Sequence, residues 1–238
     1  MKFPSKKALL FGLFALLLAG CASRPAQVAA PRVPEQVSNA EWAGDMARFA
    51  AEDAAHPPPR DAVLFVGSSS IRLWKTLAED FPGVAAINRG FGGSEIRDST
   101  WYADRIVVPY KPRLIVFYAG DNDIASGRSP QQLHDDFLAF VRRVRRDLPS
   151  VPIAFVSCKP SPSRAHLLEA QREANALIRA EAAKQKRVAF VDVFNPMLDA
   201  DGQPRAELFI EDRLHMNAAG YAIWRDAIAP YLRPGAFR

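Results

Sequence analysis

Four groups of polar residues and glycines could carry out chemistry in this sequence. A serine hydroxyl is a poor nucleophile at neutral pH, and it needs a base such as a histidine whose tautomer is fixed by a carboxylate. Asp212 and His215 are three residues apart, so one short loop can present both side chains. Together with a serine run, they are the parts of an acyl-transfer site. The groups are residues 67–70, 88–93, 120–123 and 212–215.

Two of these groups could stabilise a tetrahedral oxyanion, which needs preorganised hydrogen-bond donors. Residues 88–93 contain three glycines, and glycine lets a backbone N–H approach a ligand closely. Asn122 supplies a side-chain amide as a second kind of donor. The glycine spacing is not that of a dinucleotide site, and the serine run is not a P-loop. Asp121 and Asp123 have no third ligand at a recognisable metal-binding spacing, so we expect neither a metal nor a cofactor.

The elements that must position these groups alternate between short apolar runs and helical patterns. Near-continuous apolar runs are typical of parallel strands that are buried on both faces. Their alternation with helices predicts one α/β domain with a parallel sheet. Ligands of such sheets bind outside the carboxyl ends of the strands, where the polar groups lie. The predicted strands are residues 62–66, 84–88, 114–119, 153–157 and 188–193.

Helices are predicted between and around these strands. An apolar stripe with spacings of three and four residues predicts a helix over residues 39–54. Ser129, followed by Pro130 and then Gln132, has the pattern of a capping box that opens another helix. Residues 164–184 and 217–232 are also predicted to be helical, with Asn217 as the cap of the last helix.

The N-terminus has the pattern of a bacterial export signal. Three lysines precede an apolar run, residues 8–19, which is shorter than the roughly 20 residues of a membrane-spanning helix. The pattern predicts a signal peptide over residues 1–20. Its loss would reduce the formal net charge from +5 to about +2. This charge does not indicate a nucleic-acid partner, and no nucleic-acid-binding motif is visible.

Cys21 follows small residues and resembles the lipidated cysteine of bacterial lipoproteins, although an ordinary signal peptide is the alternative. The resemblance implies a lipid anchor in the cell envelope, and Ala22 after the cysteine implies an outer-membrane location facing the periplasm. Residues 21–38 are rich in Pro, Ala and Val and predict a flexible tether. Residues 39–238 are then the folded domain. If Cys21 carries lipid, Cys158 has no disulfide partner, and the domain depends on its core.

The four groups, in this order, resemble the SGNH hydrolases, also called GDSL esterases. The resemblance covers about residues 61–232. It implies a flavodoxin-like three-layer α/β/α sandwich with a five-stranded parallel sheet. The family's Gly-Asp-Ser block matches residues 67–69 here, so Ser68 stands where the family usually has Asp. Ser69 takes the nucleophile position, while Ser68 and Ser70 remain rivals for that role.

The resemblance also implies the roles of the other groups. His215 would be the general base and Asp212 the carboxylate that orients it. The backbone N–H groups of Ser69 and Gly93, with the Asn122 amide, would form the oxyanion hole. No cofactor and no metal would be needed.

The expected activity is hydrolysis of carboxylic esters by a serine esterase. No long insertion resembles a lipase lid, which favours short-chain acyl or O-acetyl groups on a small-molecule or carbohydrate substrate. Hydrolysis of lysophospholipids or thioesters is the second hypothesis. A non-catalytic envelope binding protein with the same fold is the alternative from another class.

Overall fold

The computed structural model describes Met1 and residues 41–233 and 235–237. Apart from Met1, the predicted signal peptide lies outside the described residues, and so do Cys21, the tether and the first two residues of the helix predicted over 39–54. Among the helices that the structure does describe, none combines the length and the apolar character needed to cross a bilayer.

Within the described residues, five parallel strands form one sheet in the order β2-β1-β3-β4-β5. Parallel neighbours need crossover connections, and helices supply them here. The order places β1 between β2 and β3, so that the last residue of β1, Gly67, pairs with Gly90 on one side and with Tyr118 on the other. The strands are β1 (Val63–Gly67), β2 (Ala86–Gly90), β3 (Leu114–Tyr118), β4 (Ile153–Val156) and β5 (Val188–Val191).

The strand predictions are right in number and place, but β2 begins and ends two residues later than expected. Its bounds are set by pairing with β1, from Val63 opposite Ala86 to Gly67 opposite Gly90, and not by apolarity. Arg89 therefore lies inside a strand with a buried side chain. The Asp53 carboxylate compensates its charge, and the hydroxyl of Tyr110 accepts a hydrogen bond from its Nε.

The four predicted helices are present, whereas the five short helices between the first and the second of them were not predicted. The capping box at Ser129 and Gln132 is present at the start of the longest helix, and the Asn217 side chain accepts from two backbone N–H groups. The described helices are α1 (Ala43–Ala55), α2 (Ser69–Arg72), α3 (Leu77–Asp80), α4 (Ile96–Trp101), α5 (Ala103–Ile106), α6 (Asp121–Ala125), α7 (Pro130–Asp147), α8 (Leu168–Ala182) and α9 (Ala218–Ile228), with 3-10 segments at Val108–Tyr110, Pro162–Leu167, Asn195–Met197, Ala206–Leu208 and Ala229–Leu232.

Two predicted helix starts are wrong. Residues 41 and 42 form a turn, and α1 begins only at Ala43. The helix predicted from residue 164 begins at Leu168, because Arg164 has non-helical backbone angles (φ −119°, ψ 24°) inside the preceding 3-10 segment.

Alternate side chains of each strand enter two cores on opposite faces of the sheet. Leu64 and Val66 pack with α1, α4, α5, α7 and α8 on one face. Val63 and Phe65 pack with α2, α3 and α9 on the other. The result is the predicted flavodoxin-like α/β/α sandwich. Cys158 is a free, buried thiol, so the described domain is held by these cores.

Candidate active site

Ser69, His215 and Asp212 lie in a continuous hydrogen-bonded chain. The Ser69 Oγ atom is 2.9 Å from His215 Nε2, and His215 Nδ1 is 2.6 Å from Asp212 Oδ2. A carboxylate at Nδ1 favours the tautomer with the proton on Nδ1, because that N–H can donate to it. Nε2 is then an acceptor for the Ser69 hydroxyl. A nucleophile, a base and an orienting carboxylate in this order can carry out acyl transfer.

The turn after β1 decides which serine is presented. Gly67 has φ +133°, and a Cβ atom there would lie 1.7 Å from the carbonyl oxygen of Tyr118, so only glycine fits. The chain then enters α2, which begins at Ser69. Ser68 and Ser70 are only 1% and 2% exposed, whereas Ser69 is half-buried. Of these three serines, Ser69 is the one a substrate could reach.

The loop that carries Asp212 and His215 is closed by its own hydrogen bonds. Asp212 Oδ1 accepts from the backbone N–H groups of Leu214 and His215, both at 2.9 Å. Burial acts to raise the pKa of Asp212, but these bonds and the bond from the His215 ring outweigh it and lower the pKa to about 2. The carboxylate is therefore ionised at neutral pH, as a group that orients an imidazolium must be.

The oxyanion donors predicted from the sequence lie at the ends of β1, β2 and β3. The loop after β2 is bound to β1, because the Phe91 N–H donates to the Gly67 carbonyl at 2.9 Å. Asn122 Nδ2 donates to the Ser94 carbonyl of this loop at 3.0 Å, which leaves its second N–H for a ligand. Neither the Ser69 N–H nor the Gly93 N–H has an acceptor within the described part of the chain.

A buried charge cluster, made of Asp121, Lys159 and Arg164, lies next to Asn122. Asp121 Oδ2 is 3.2 Å from Lys159 Nζ and 2.9 Å from Arg164 Nη1. Burial acts to raise the pKa of Asp121, but the two cations lower it below the ordinary value. Arg164 Nη2 also donates to Asn122 Oδ1 at 2.9 Å.

Lys159 and Arg164 have no role in the sequence-based predictions, because they follow β4 without a recognisable motif. Lys159 is 1% exposed, although it carries a charge and comes three residues after the end of the buried strand β4. A charged residue at the carboxyl end of a buried parallel strand was the signal that could have identified this cluster.

Trp42 contacts the loop after β2, and the sequence did not reveal this contact either. Its Nε1–H donates to the Gly92 carbonyl at 2.8 Å, and its ring packs edge-on against Phe91. From the sequence it belongs to the apolar stripe of an N-terminal helix. In the structure it precedes α1 and contacts the loop that presents Gly93.

Comparison with known proteins bears on the family and the fold of this chain. The model of the GDSL-like lipase/acylhydrolase family matches residues 65–223, which include the predicted site residues. The platelet-activating factor acetylhydrolase IB subunit alpha1 of Homo sapiens is 25% identical over 198 residues, covering 79% of this chain and 81% of that protein.

Two solved structures show the same fold. A GDSL-like lipase from Bacteroides thetaiotaomicron has a TM-score of 0.67 and 22% identity, covering 79% of this chain and 96% of that one. A catalytic mutant of an acetylxylan esterase from Geobacillus stearothermophilus has a TM-score of 0.59 and 14% identity, covering 75% and 96%.

Proposed function

The chain belongs to the GDSL-like lipase/acylhydrolase family of ester-bond hydrolases, and we propose that it is a serine esterase with a Ser69–His215–Asp212 triad. The observation that carries the proposal is the 2.9 Å contact between Ser69 Oγ and His215 Nε2. A base within hydrogen-bond distance of a hydroxyl can take its proton as the hydroxyl attacks a carbonyl.

The proposed reaction has two halves. Ser69 Oγ attacks the ester carbonyl carbon while His215 Nε2 takes the hydroxyl proton. The tetrahedral intermediate collapses to an acyl-enzyme, and His215 gives the proton to the leaving alcohol. Water then attacks the acyl-enzyme with His215 again as base, which releases the acid and restores the Ser69 hydroxyl. Asp212 stabilises the imidazolium in both halves.

The proposed oxyanion hole consists of the Ser69 N–H, the Gly93 N–H and the free N–H of Asn122. Two observations support it: the backbone donors lack acceptors in the described region, and Asn122 is hydrogen-bonded on both sides. Donors that are already oriented stabilise the developing negative charge without reorganisation.

We propose short acyl groups, acetyl first, as the substrate class, carried by a small-molecule or carbohydrate alcohol. The names of two similar proteins, an acetylhydrolase and an acetylxylan esterase, support this choice. A series of p-nitrophenyl esters with increasing acyl length tests it. Acetate and butyrate should give the highest kcat/KM, and a maximum at long chains would contradict the proposal.

The triad is tested by Ser69→Ala, with Ser68→Ala as the matched control. Ser68 Oγ is buried without a hydrogen-bond partner among the described residues, so its removal should not disturb the fold. Ser69→Ala should lose both p-nitrophenyl acetate hydrolysis and fluorophosphonate labelling, whereas Ser68→Ala should keep both. Full activity of Ser69→Ala would overturn the proposal, and a wild-type protein that is never labelled would favour a binding protein.

We also propose that a signal peptide over residues 1–20 is removed and that Cys21 is lipidated. Residues 21–38 would then tether the domain, residues 39–238, to the outer membrane facing the periplasm. The lysines and the apolar run before Cys21 support this proposal. In a bacterial host, the full chain should fractionate with membranes and incorporate labelled palmitate. Cys21→Ser should do neither; a membrane-bound, labelled Cys21→Ser protein would contradict the anchor.

A further inference from the structure

The Asn122 side chain is hydrogen-bonded on both sides of its amide. Nδ2 donates to the Ser94 carbonyl at 3.0 Å, and Oδ1 accepts from Arg164 Nη2 at 2.9 Å. A flipped amide would point its NH2 group at the guanidinium and its oxygen at a carbonyl oxygen, and both contacts are repulsive. The two bonds therefore hold one orientation, in which one N–H remains for the oxyanion.

Arg164 is itself held by the buried charge cluster. Its Nη1 lies 2.9 Å from Asp121 Oδ2, and Lys159 Nζ is 3.2 Å from the same oxygen. The Arg164 side chain is 17% exposed and that of Lys159 is 1% exposed. Two cations share one carboxylate, so the cluster carries a net positive charge. That charge lies directly behind the amide oxygen of Asn122.

The backbone around Arg164 also contacts the other half of the site. Arg164 lies in the 3-10 segment Pro162–Leu167, where its non-helical angles interrupt the helix. The preceding N–H, that of Ser163, donates to the carbonyl of Arg213 at 3.1 Å. Arg213 lies between Asp212 and His215, so one short segment contacts both the oxyanion amide and the loop of the base.

We propose that Arg164 is a positioning residue for ester hydrolysis, acting through Asn122. This proposal rests on the proposed function of Asn122 as an oxyanion donor. A cation that is hydrogen-bonded to the amide oxygen polarises the amide and makes its remaining N–H a stronger donor. The gain is largest when the oxyanion carries full charge, so it appears in the transition state more than in substrate binding.

The experiment is a double-mutant cycle between Arg164→Met and Asn122→Ala, measured as steady-state hydrolysis of p-nitrophenyl acetate. Arg164→Met should lower kcat and kcat/KM together, by about 10- to 100-fold, the usual effect of one hydrogen bond to a charged group. In the Asn122→Ala background, the same change should have little further effect, because the amide through which Arg164 acts is gone.

Two further variants distinguish a positioning role of Arg164 from a general loss of structure or activity. Arg164→Lys keeps a cation but loses the planar fork that contacts Asp121 and Asn122 together, so it should restore only part of kcat. Arg142→Met removes an exposed arginine of α7 and should leave kcat unchanged. Thermal unfolding is measured for every variant. If Arg164→Met does not fold, Arg164→Gln takes its place in the cycle.

Three outcomes would overturn the proposal: an unchanged kcat in folded Arg164→Met, a rise in KM alone, or losses that add fully in the double variant. A rise in KM alone would mean that Arg164 acts in substrate binding. Fully additive losses would mean that it acts independently of Asn122. The Ser69→Ala variant distinguishes an error in the role of Arg164 from an error in the proposed esterase function. If Ser69→Ala is inactive while Arg164→Met keeps its kcat, only the role of Arg164 is wrong. If Ser69→Ala keeps full activity, the triad is wrong.

Discussion

The Ser69 hydroxyl lies 2.9 Å from His215 Nε2, although 146 residues separate them in the sequence. Ser69 is presented by the turn after the interior strand β1, whereas His215 lies in the loop before α9. The contact forms only in the folded domain, in which the connecting helices allow all five described strands to run parallel. A polar group after each strand then reaches the same edge.

Asp212→Asn should lower kcat by about 10³- to 10⁴-fold while the fold is kept. An amide cannot stabilise the imidazolium, and its NH2 group can hold His215 in the wrong tautomer. Steady-state hydrolysis of p-nitrophenyl acetate measures the effect. A kcat within tenfold of wild type would show that Asp212 does not orient the base.

The same carboxylate predicts a change of stability in acid. The pKa of Asp212 is lowered to about 2 from an ordinary 3.8. A carboxylate whose pKa is lower in the folded than in the unfolded protein stabilises the fold at pH values above its pKa in the unfolded protein. This contribution is lost as the pH falls through its pKa in the folded protein. The difference in Tm between wild type and Asp212→Asn should therefore shrink from about pH 4 to pH 2. A constant difference over this window would contradict the assignment.

Asn122→Ala should lower kcat by about 10²- to 10³-fold, because it removes one oxyanion donor. KM should change little, since the carbonyl oxygen of the bound ester carries little charge before attack. Steady-state kinetics give both constants. A rise in KM without a fall in kcat would mean that Asn122 acts in substrate binding instead.

Trp42→Phe should lower both stability and kcat. The phenyl ring keeps the edge-on contact with Phe91 but loses the bond to the Gly92 carbonyl, which is worth about 1 kcal/mol. The loop that presents Gly93 is then less fixed, and we expect a fall in kcat of about two- to tenfold. Arg48→Met, on the exposed face of α1, is the control. A lower Tm with unchanged kcat would mean that Trp42 only supports the fold.

Asp123→Asn should stabilise the protein near neutral pH. Asp123 is fully buried, and burial, followed by the nearby Glu95 carboxylate, raises its pKa well above the ordinary value. Its Oδ1 accepts from the Ile96 N–H at 3.0 Å, a bond that an amide oxygen can keep.

The direction in which pH changes this effect on stability follows from the raised pKa of Asp123. A carboxyl group whose pKa is higher in the folded than in the unfolded protein contributes stability below its unfolded pKa, and this contribution is lost as the pH rises towards the folded value. An amide does not titrate, so it avoids this loss. The advantage of Asp123→Asn in Tm should therefore grow from about pH 4 towards neutral pH. An advantage that is larger in acid would contradict the raised pKa.

Local patterns in the sequence were sufficient to predict the strands, the four longest helices and the residues at the strand ends. Apolar runs, the capping box at Ser129 and the cap at Asn217 depend on neighbours within a few residues. The spacing of Asp212 and His215 is local too, because three residues can close one loop. These features need no knowledge of what packs against them.

The three consecutive serines show what the sequence alone could not decide. All three hydroxyls have the same chemistry, and the resemblance to a family selected Ser69 only by its place in a motif. The structure separates them by exposure: the close approach of Gly67 to Tyr118 sets the turn that buries Ser68 and Ser70.

Long-range pairing decided what no local pattern contains. The bounds of β2 follow its register against β1, and Arg89 is buried only because Asp53 and Tyr110 reach it from other elements. Arg164 contacts Asn122 across 42 residues. Such contacts depend on where side-chain ends meet after the sheet has formed, and this is determined by packing and charge in the tertiary structure.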